Sequence, residues 1–266
     1  MMNHEEILEA ANSLEEAEVN RVQMGLLSIR YPKMTMDDAY AIQEAWINKK
    51  FSKGQKIIGW KIGLTSKAMQ YALNINTPDS GVLTDSMQFK NNTVISGGYF
   101  IQPRIEAEIA FVMKSSLFGK VTRQNVIDAT DYVSPSLEVL DTRIQRTDPE
   151  TGKARIIVDT ISDNAANAGV ILGDEKHNIK NVDLRKIGAV VSRNGEVEET
   201  GLGAGVLNDP IMGIVWLAER MAIYGKKIEA GQIILSGSFI RAIEAPSGSQ
   251  IFADFFDFGT VGCHFN

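Results

Sequence analysis

The chain has 266 residues and a formal net charge of −6 at pH 7, with a pI of about 5.2. An acidic balance argues against a nucleic-acid partner, which calls for a basic face, and no apolar run approaches the roughly 18–20 residues that span a bilayer. A single cysteine, Cys263, excludes an intrachain disulfide and a multi-thiolate metal site, and three scattered histidines (His4, His177, His264) argue against a histidine-rich zinc site.

Residues 4–24 read as a helix, with Ile7, Ala10, Ala11, Leu14 and Ala17 recurring at three and four. This acidic, helical start does not have the pattern of a signal peptide, and with the cysteine usage it points to a cytoplasmic protein. After a break at 26–32, Thr35 with Asp38 three residues on is an N-cap signal. Ala39, Ile42, Ala45, Trp46 and Ile47 carry that second helix to about Phe51, and Gly54 ends it. Residues 1–54 are therefore expected to be a helical N-terminal segment and 55–266 a β-rich body.

Residues 55–64 read as a strand with Lys61 in its second half. Thr65 or Ser66 can cap a short helix over 67–73, and Thr77-Pro78-Asp79-Ser80-Gly81 is a turn by composition. Residues 82–98 are short strands and turns. Residues 104–113 alternate with period two, which places Ile105, Ala107, Ile109, Phe111 and Met113 on one face and Glu106 and Glu108 on the other. A helix is expected over 124–132, and Pro135 opens a strand carrying Glu138 between apolar neighbours. Residues 144–155 are polar and read as an exposed loop or lid. The small, polar run from Asp159 to Gly169 suits either a close backbone approach to a ligand or a tightly packed buried turn. Asn194-Gly195 predicts a hairpin. Asp209 caps a helix whose Ile211, Ile214, Val215, Ala218 and Met221 form a core stripe, residues 231–238 form a strand, and the tail forms two closing strands about Asp257-Phe258-Gly259. The fold class is α+β, with strand–helix alternation too irregular for a doubly wound sheet.

Adjacent carboxylates on one strand repel, so Glu106 and Glu108 need solvent or a cation, and their apolar flanks argue against full solvation. One reading gathers Glu106, Glu108 and Glu138 about a hard divalent cation, Mg²⁺ or Mn²⁺. The other leaves a polar sheet face with Glu138 paired to Arg104 or Arg143. Lys61, between Trp60 and Ile62, is either a partly desolvated amine with a lowered pKa or a structural ion pair. Asp79 taken alone is a turn-stabilising residue.

Taken together and in order, five motifs decide more than any one does: Gly59-Trp60-Lys61-Ile62-Gly63-Leu64-Thr65-Ser66, Pro78-Asp79-Ser80-Gly81, Pro103-Arg104-Ile105-Glu106-Ala107-Glu108, Leu137-Glu138-Val139 and Ser162-Asp163-Asn164-Ala165. From about Tyr31 onward the chain resembles the hydratase/decarboxylase branch of the fumarylacetoacetate hydrolase superfamily. The resemblance implies a mixed β-sandwich or roll, Glu106, Glu108 and Glu138 as ligands of Mg²⁺ or Mn²⁺, and Lys61 and Asp79 as proton-handling groups beside the metal. It also implies a small-molecule dicarboxylate substrate and a homo-oligomer. Within the branch the match is best to seven-carbon dioate hydratases of homoprotocatechuate meta-cleavage, ahead of 2-hydroxypentadienoate hydratase and 4-oxalocrotonate decarboxylase, and well ahead of a non-catalytic partner subunit. Ser162, Asn164 and Arg143 are candidate substrate contacts, and Arg143, Arg155, Arg241 and Lys67 are candidates for the distal carboxylate. One departure stands out: Asp209 occupies a position where the branch is expected to carry histidine.

Overall fold

The computed structural model describes residues 1–72 and 77–266. Helix α1, His4–Asn20, starts on a capping box in which Asn3 and Glu6 satisfy each other's backbone N–H groups. It stops short of the predicted residue 24 because Arg21 turns left-handed, at φ 56°. A short helix α2, Leu27–Arg30, leads to α3, Met36–Ser52, which begins at Thr35 with the predicted Asp38 partner. The alanines of α1 let it sit close to α3: Ala10, Ala11 and Leu14 pack on Ile42 and Trp46, with Leu26, Leu27 and Ile144 closing the cluster.

The body follows: β1 (Ile57–Gly63), α4 (Lys67–Ala72), β2 (Asp79–Thr84), β3 (Gln88–Phe89), β4 (Thr93–Ile95) and β5 (Arg104–Met113), then α5 (Arg123–Ala129), β6 (Thr130–Leu140), α6 (Ile157–Ser162), β7 (Asn167–Leu172), β8 (Gly188–Arg193), β9 (Glu196–Leu202), α7 (Pro210–Ile223), β10 (Ile233–Leu235), β11 (Ile243–Glu244), β12 (Gln250–Asp254) and β13 (Thr260–Phe265). Residue 73, the predicted end of α4, lies outside the described residues. Among the described residues the strands make two mixed sheets. The larger runs β2-β1-β10-β5-β6-β7-β3 with β11 beside β5, and the smaller runs β4-β13-β12-β8-β9.

The main core lies between the sheets. The odd-numbered face of β5 (Ile105, Ala107, Ile109, Phe111 and Met113) packs with Val191 of β8, Ile251 of β12, Val261 of β13 and the Ile211, Ile214 and Leu217 stripe of α7. The predicted hairpin is β8–β9, turned by Asn194 and Gly195 at φ 55° and 84°.

Two further boundaries, both at β6, differ from expectation. The helix predicted over 124–132 ends at Ala129, because Thr130, Tyr132 and Val133 are strand formers and pair with Met113, Val112 and Phe111. Pro135 does not open β6 but lies inside it, opposite Ile109. Its carbonyl accepts from Gly173 N–H at 2.8 Å, so its missing donor faces the margin of the sheet past the end of β7. There the Gly173 carbonyl takes the Ser134 hydroxyl instead.

Candidate active site on the polar face of the large sheet

Partners directly opposite in a sheet ladder point to the same face, so register alone assembles the site. Glu106 on β5 is opposite Glu138 on β6, with Glu108 two residues along the same face. Lys61 on β1 is opposite Leu235 on β10, which is opposite Ala110 on β5, an even-numbered neighbour of Glu108. Gly63 is opposite Asp79, the first residue of β2. Lys61, Asp79, Glu106, Glu108 and Glu138 therefore share one face, beside a small apolar patch of Leu83, Ala110, Val170, Ile233 and Leu235. Carboxylate oxygens of the three glutamates come within 4.8 Å of one another. Glu106 opens onto a cleft of about 760 Å³ that Arg104, Ser66, Ser238 and Ile240 also line.

Backbone at close range holds these groups. Gly237, at φ 112°, donates its N–H to Glu108 Oε2 at 2.7 Å, and a Cβ there would fall within 2.3 Å of Thr65. A Cβ at Gly63 would lie 2.2 Å from Asp79 Oδ1. Lys61 Nζ is 3.3 Å from Glu138 Oε1.

Burial dominates the electrostatics. It pushes Glu106 up to about 7, assisted by Glu138, and raises Glu108 and Glu138 as well. Asp79 is raised by burial against the pull of Lys61 and Arg155. For Lys61 the structure takes the ion-pair reading over the lowered pKa: burial favours the neutral amine, but Glu138, Asp79, Glu106 and Glu108 outweigh it and hold the pKa above the usual lysine value. The buried oxygens Asp79 Oδ1, Glu108 Oε1 and Glu138 Oε2 accept no hydrogen bond, and Glu138 Oε1 is met by Lys61 as an ion pair. Orphaned carboxylate oxygens in a dry site cost free energy, and hard oxygen donors of this number suit a small divalent cation. The residues fit such an ion, which would leave one net negative charge on the three carboxylates.

The chain is 48% identical over 256 residues to the 2-oxo-hept-4-ene-1,7-dioate hydratase of Escherichia coli, an alignment covering 96% of each. It is 37% identical over 259 residues to a 2-keto-4-pentenoate hydratase of Paraburkholderia xenovorans, covering 97% of this chain and 90% of that one. The chain belongs to the hydratase/decarboxylase branch of the fumarylacetoacetate hydrolase superfamily. A solved structure of this branch, 4-oxalocrotonate decarboxylase from Pseudomonas putida G7 complexed with magnesium and adipate, superposes with a TM-score of 0.94 at 35% identity, covering 100% of this chain and 99% of that one. No family model matches the chain.

Three residues proposed as substrate contacts in this member of the superfamily sit elsewhere, with their polar groups committed. Arg143 is buried. Its Nε bonds Asp163 Oδ1 at 2.6 Å, its Nη2 bonds the carbonyls of Asp163 and Asn167, and its guanidinium lies 4.9 Å from the centre of the Trp46 ring. Ser162 donates its hydroxyl to the Val158 carbonyl one turn back in α6. Asn164 mimics a strand partner, accepting from Val82 N–H at 2.7 Å and donating to the Val82 carbonyl at 2.9 Å. Asn164, Ala165 and Ala166 all have positive φ, so the small-residue run is the buried turn, and it pins β2, whose first residue is Asp79. Asp209 makes the predicted cap, accepting from Ile211 N–H, and also pairs with Arg123. Gly237 escaped the sequence reading. Its only signal was Ser236-Gly237-Ser238 at the end of a strand.

Proposed function

We propose that this chain is a divalent-metal-dependent hydratase that adds water to the 2-hydroxy-2,4-dienoate form of 2-oxohept-4-ene-1,7-dioate, acting in homoprotocatechuate meta-cleavage. What carries the reading is the set of buried carboxylate oxygens of Glu108 and Glu138 that accept no hydrogen bond, beside the Lys61–Glu138 ion pair, in a chain so similar over its length to the E. coli hydratase. Glu106, Glu108 and Glu138 would hold Mg²⁺ or Mn²⁺, which when bound polarises the C2 oxygen and stabilises enolate-like charge.

The chain's own groups manage protons. Ketonisation moves a proton from the C2 hydroxyl to C5 and leaves a 2-oxo-3-ene. Water oxygen then adds to C4 and a proton to C3, since only the conjugated ketone offers a sink for the electrons. Lys61, kept as an ammonium by its acidic neighbours, delivers the proton to C5. Asp79, whose basicity burial raises, takes the proton from the attacking water. The dry walls around Leu83, Val170 and Leu235 keep bulk water from competing. A homo-oligomer in the cytoplasm belongs to the same reading, and sedimentation of the purified chain measures its assembly.

The test is turnover of five-carbon monoacid and seven-carbon diacid dienoates, with and without EDTA, while CO₂ is followed. The expected result is hydration of the diacid without CO₂, abolished by EDTA and restored by Mg²⁺ or Mn²⁺. Release of CO₂ would assign the chain to the decarboxylases, the class of its superposed neighbour. Preference for the monoacid would assign it to the shorter-chain hydratases.

A further inference from the structure

The segment between β6 and α6, predicted as an exposed loop, folds back on itself as a two-stranded ribbon. Thr147 bridges Ala154 in antiparallel fashion, Arg155 N–H donates to the Arg146 carbonyl at 2.9 Å, and Asp148 N–H donates to the Lys153 carbonyl at 2.9 Å. That register sets Arg146 directly opposite Arg155, on one side of the ribbon. Like charges placed so are destabilising. Even so, among the described residues the Arg146 guanidinium makes no hydrogen bond or ion pair, and the buried Nη1 of Arg155 has no partner.

Most acids around this pair are engaged elsewhere, the exception being Asp79, whose charge acts on Arg155. Asp163 holds Arg143, Asp141 accepts the N–H groups of Ile101 and Gln102, and Glu244 pairs with Arg104 at 2.7 Å. Arg104 is a third cation of the group. Burial and the charges of Arg104 and Arg155 pull Arg146 down to about 10, and the charges of Asp141 and Glu244 only partly offset them. Arg104 belongs to the even-numbered face of β5, two residues before Glu106, and with Glu106 it lines the same cleft. Along the strand those two residues are separated by roughly 7 Å, on the order of the span of a short diacid. The other cations that the sequence offered are committed: Arg143 to Asp163, Arg241 to Glu199 at 2.6 Å and Lys67 to Gln70 at 3.0 Å.

We propose that Arg146 and Arg155, with Arg104 beside them, form the subsite for the distal carboxylate of a linear dicarboxylate whose other end lies at Glu106, Glu108 and Glu138. This rests on the reading of the chain as a dienoate hydratase and names what would make it select a diacid. Two guanidinium groups facing each other across a ribbon present parallel N–H donors to one carboxylate, which also relieves their repulsion.

The test compares kcat/KM for the seven-carbon diacid dienoate and the five-carbon monoacid dienoate in wild type, R146Q, R146K and R155Q, each with a melting curve. Calorimetric titration of the Mg²⁺-loaded proteins with adipate and with pentanoate gives a readout free of turnover. The diacid-over-monoacid ratio is expected to fall roughly 10- to 100-fold in R146Q and R155Q, with part of it recovered in R146K. The preference for adipate over pentanoate should shrink in parallel. If R155Q does not fold, R146Q decides alone, since that side chain holds nothing else in place. A folded R146Q with the wild-type ratio and the wild-type adipate preference overturns the proposal. If wild type hydrates no dienoate, the hydratase reading falls by itself. The binding arm still decides the subsite: adipate preference lost in R146Q supports it, and no preference in wild type sinks it.

Discussion

Glu106→Gln in the metal-stripped protein separates the two forces on the acidic cluster, because the substitution keeps shape and removes charge. In wild type, burial and Glu138 move Glu106 from 4.5 to about 7 in the folded state. The sign follows from linkage: a folded carboxyl with a raised pKa keeps a proton that the unfolded chain releases, so stability declines as pH rises. The decline begins near 4.5, the unfolded value, and is complete above about 7. At about 1.4 kcal/mol per unit, the full cost is about 3 kcal/mol at pH 8 and about 1 kcal/mol at pH 5. In EDTA, denaturant unfolding should therefore find E106Q more stable than wild type by about 3 kcal/mol at pH 8, with most of that gain gone at pH 5. Adding Mg²⁺ should stabilise wild type at pH 8, where the ligands are ionised, and stabilise E106Q far less. Turnover of E106Q should be abolished although it folds. A metal-free E106Q no more stable than wild type at pH 8, or one that Mg²⁺ stabilises as strongly as wild type, would refute the reasoning.

Lys61→Ala should slow turnover by ~10²-fold or more, as removal of a positioned acid does, and an unchanged kcat in the Mg²⁺-loaded enzyme would take Lys61 out of the mechanism. Asp163→Asn strips the counter-charge from buried Arg143 and should cost about 3–5 kcal/mol of stability. Because that pair sits outside the acidic cluster, Mg²⁺ affinity of the folded protein should hold, and a large loss of affinity would show that Arg143 reaches the site after all.

The acidic face was legible because a strand's period is two: alternation in Arg104–Met113 separates Glu106 and Glu108 from Ile105, Ala107 and Ile109 with no knowledge of the partner strands. That Glu138 stands opposite Glu106, and Asp79 opposite Gly63, is a matter of register between distant segments. Periodicity cannot supply register, and here the ordered motifs of the resemblance stood in for it. The charge state of Lys61 stayed open in the sequence for a related cause. Its neighbours in the chain are Trp60 and Ile62, which argue for desolvation, whereas the groups that set its pKa lie on β2, β5 and β6. Arg143 and Asn164 looked like ligands because a buried charge and a buried amide carry the same local pattern whether they face substrate or Asp163 and Val82.

The ribbon at 144–155 shows the same limit from the other side. Polar residues around Asp148-Pro149 and Thr151-Gly152 describe an exposed loop well, and the tip is one, with Asp148 capping Thr151. Nothing local says that the two arms return in a register that puts Arg146 against Arg155. Once they do, a repulsion that Asp141 and Glu244 only partly offset becomes the most informative feature of the segment. Stability alone would select against such a pair. Its presence beside a face carrying Arg104 and Glu106 is therefore an argument about what the site must receive, an anion brought in by the substrate itself.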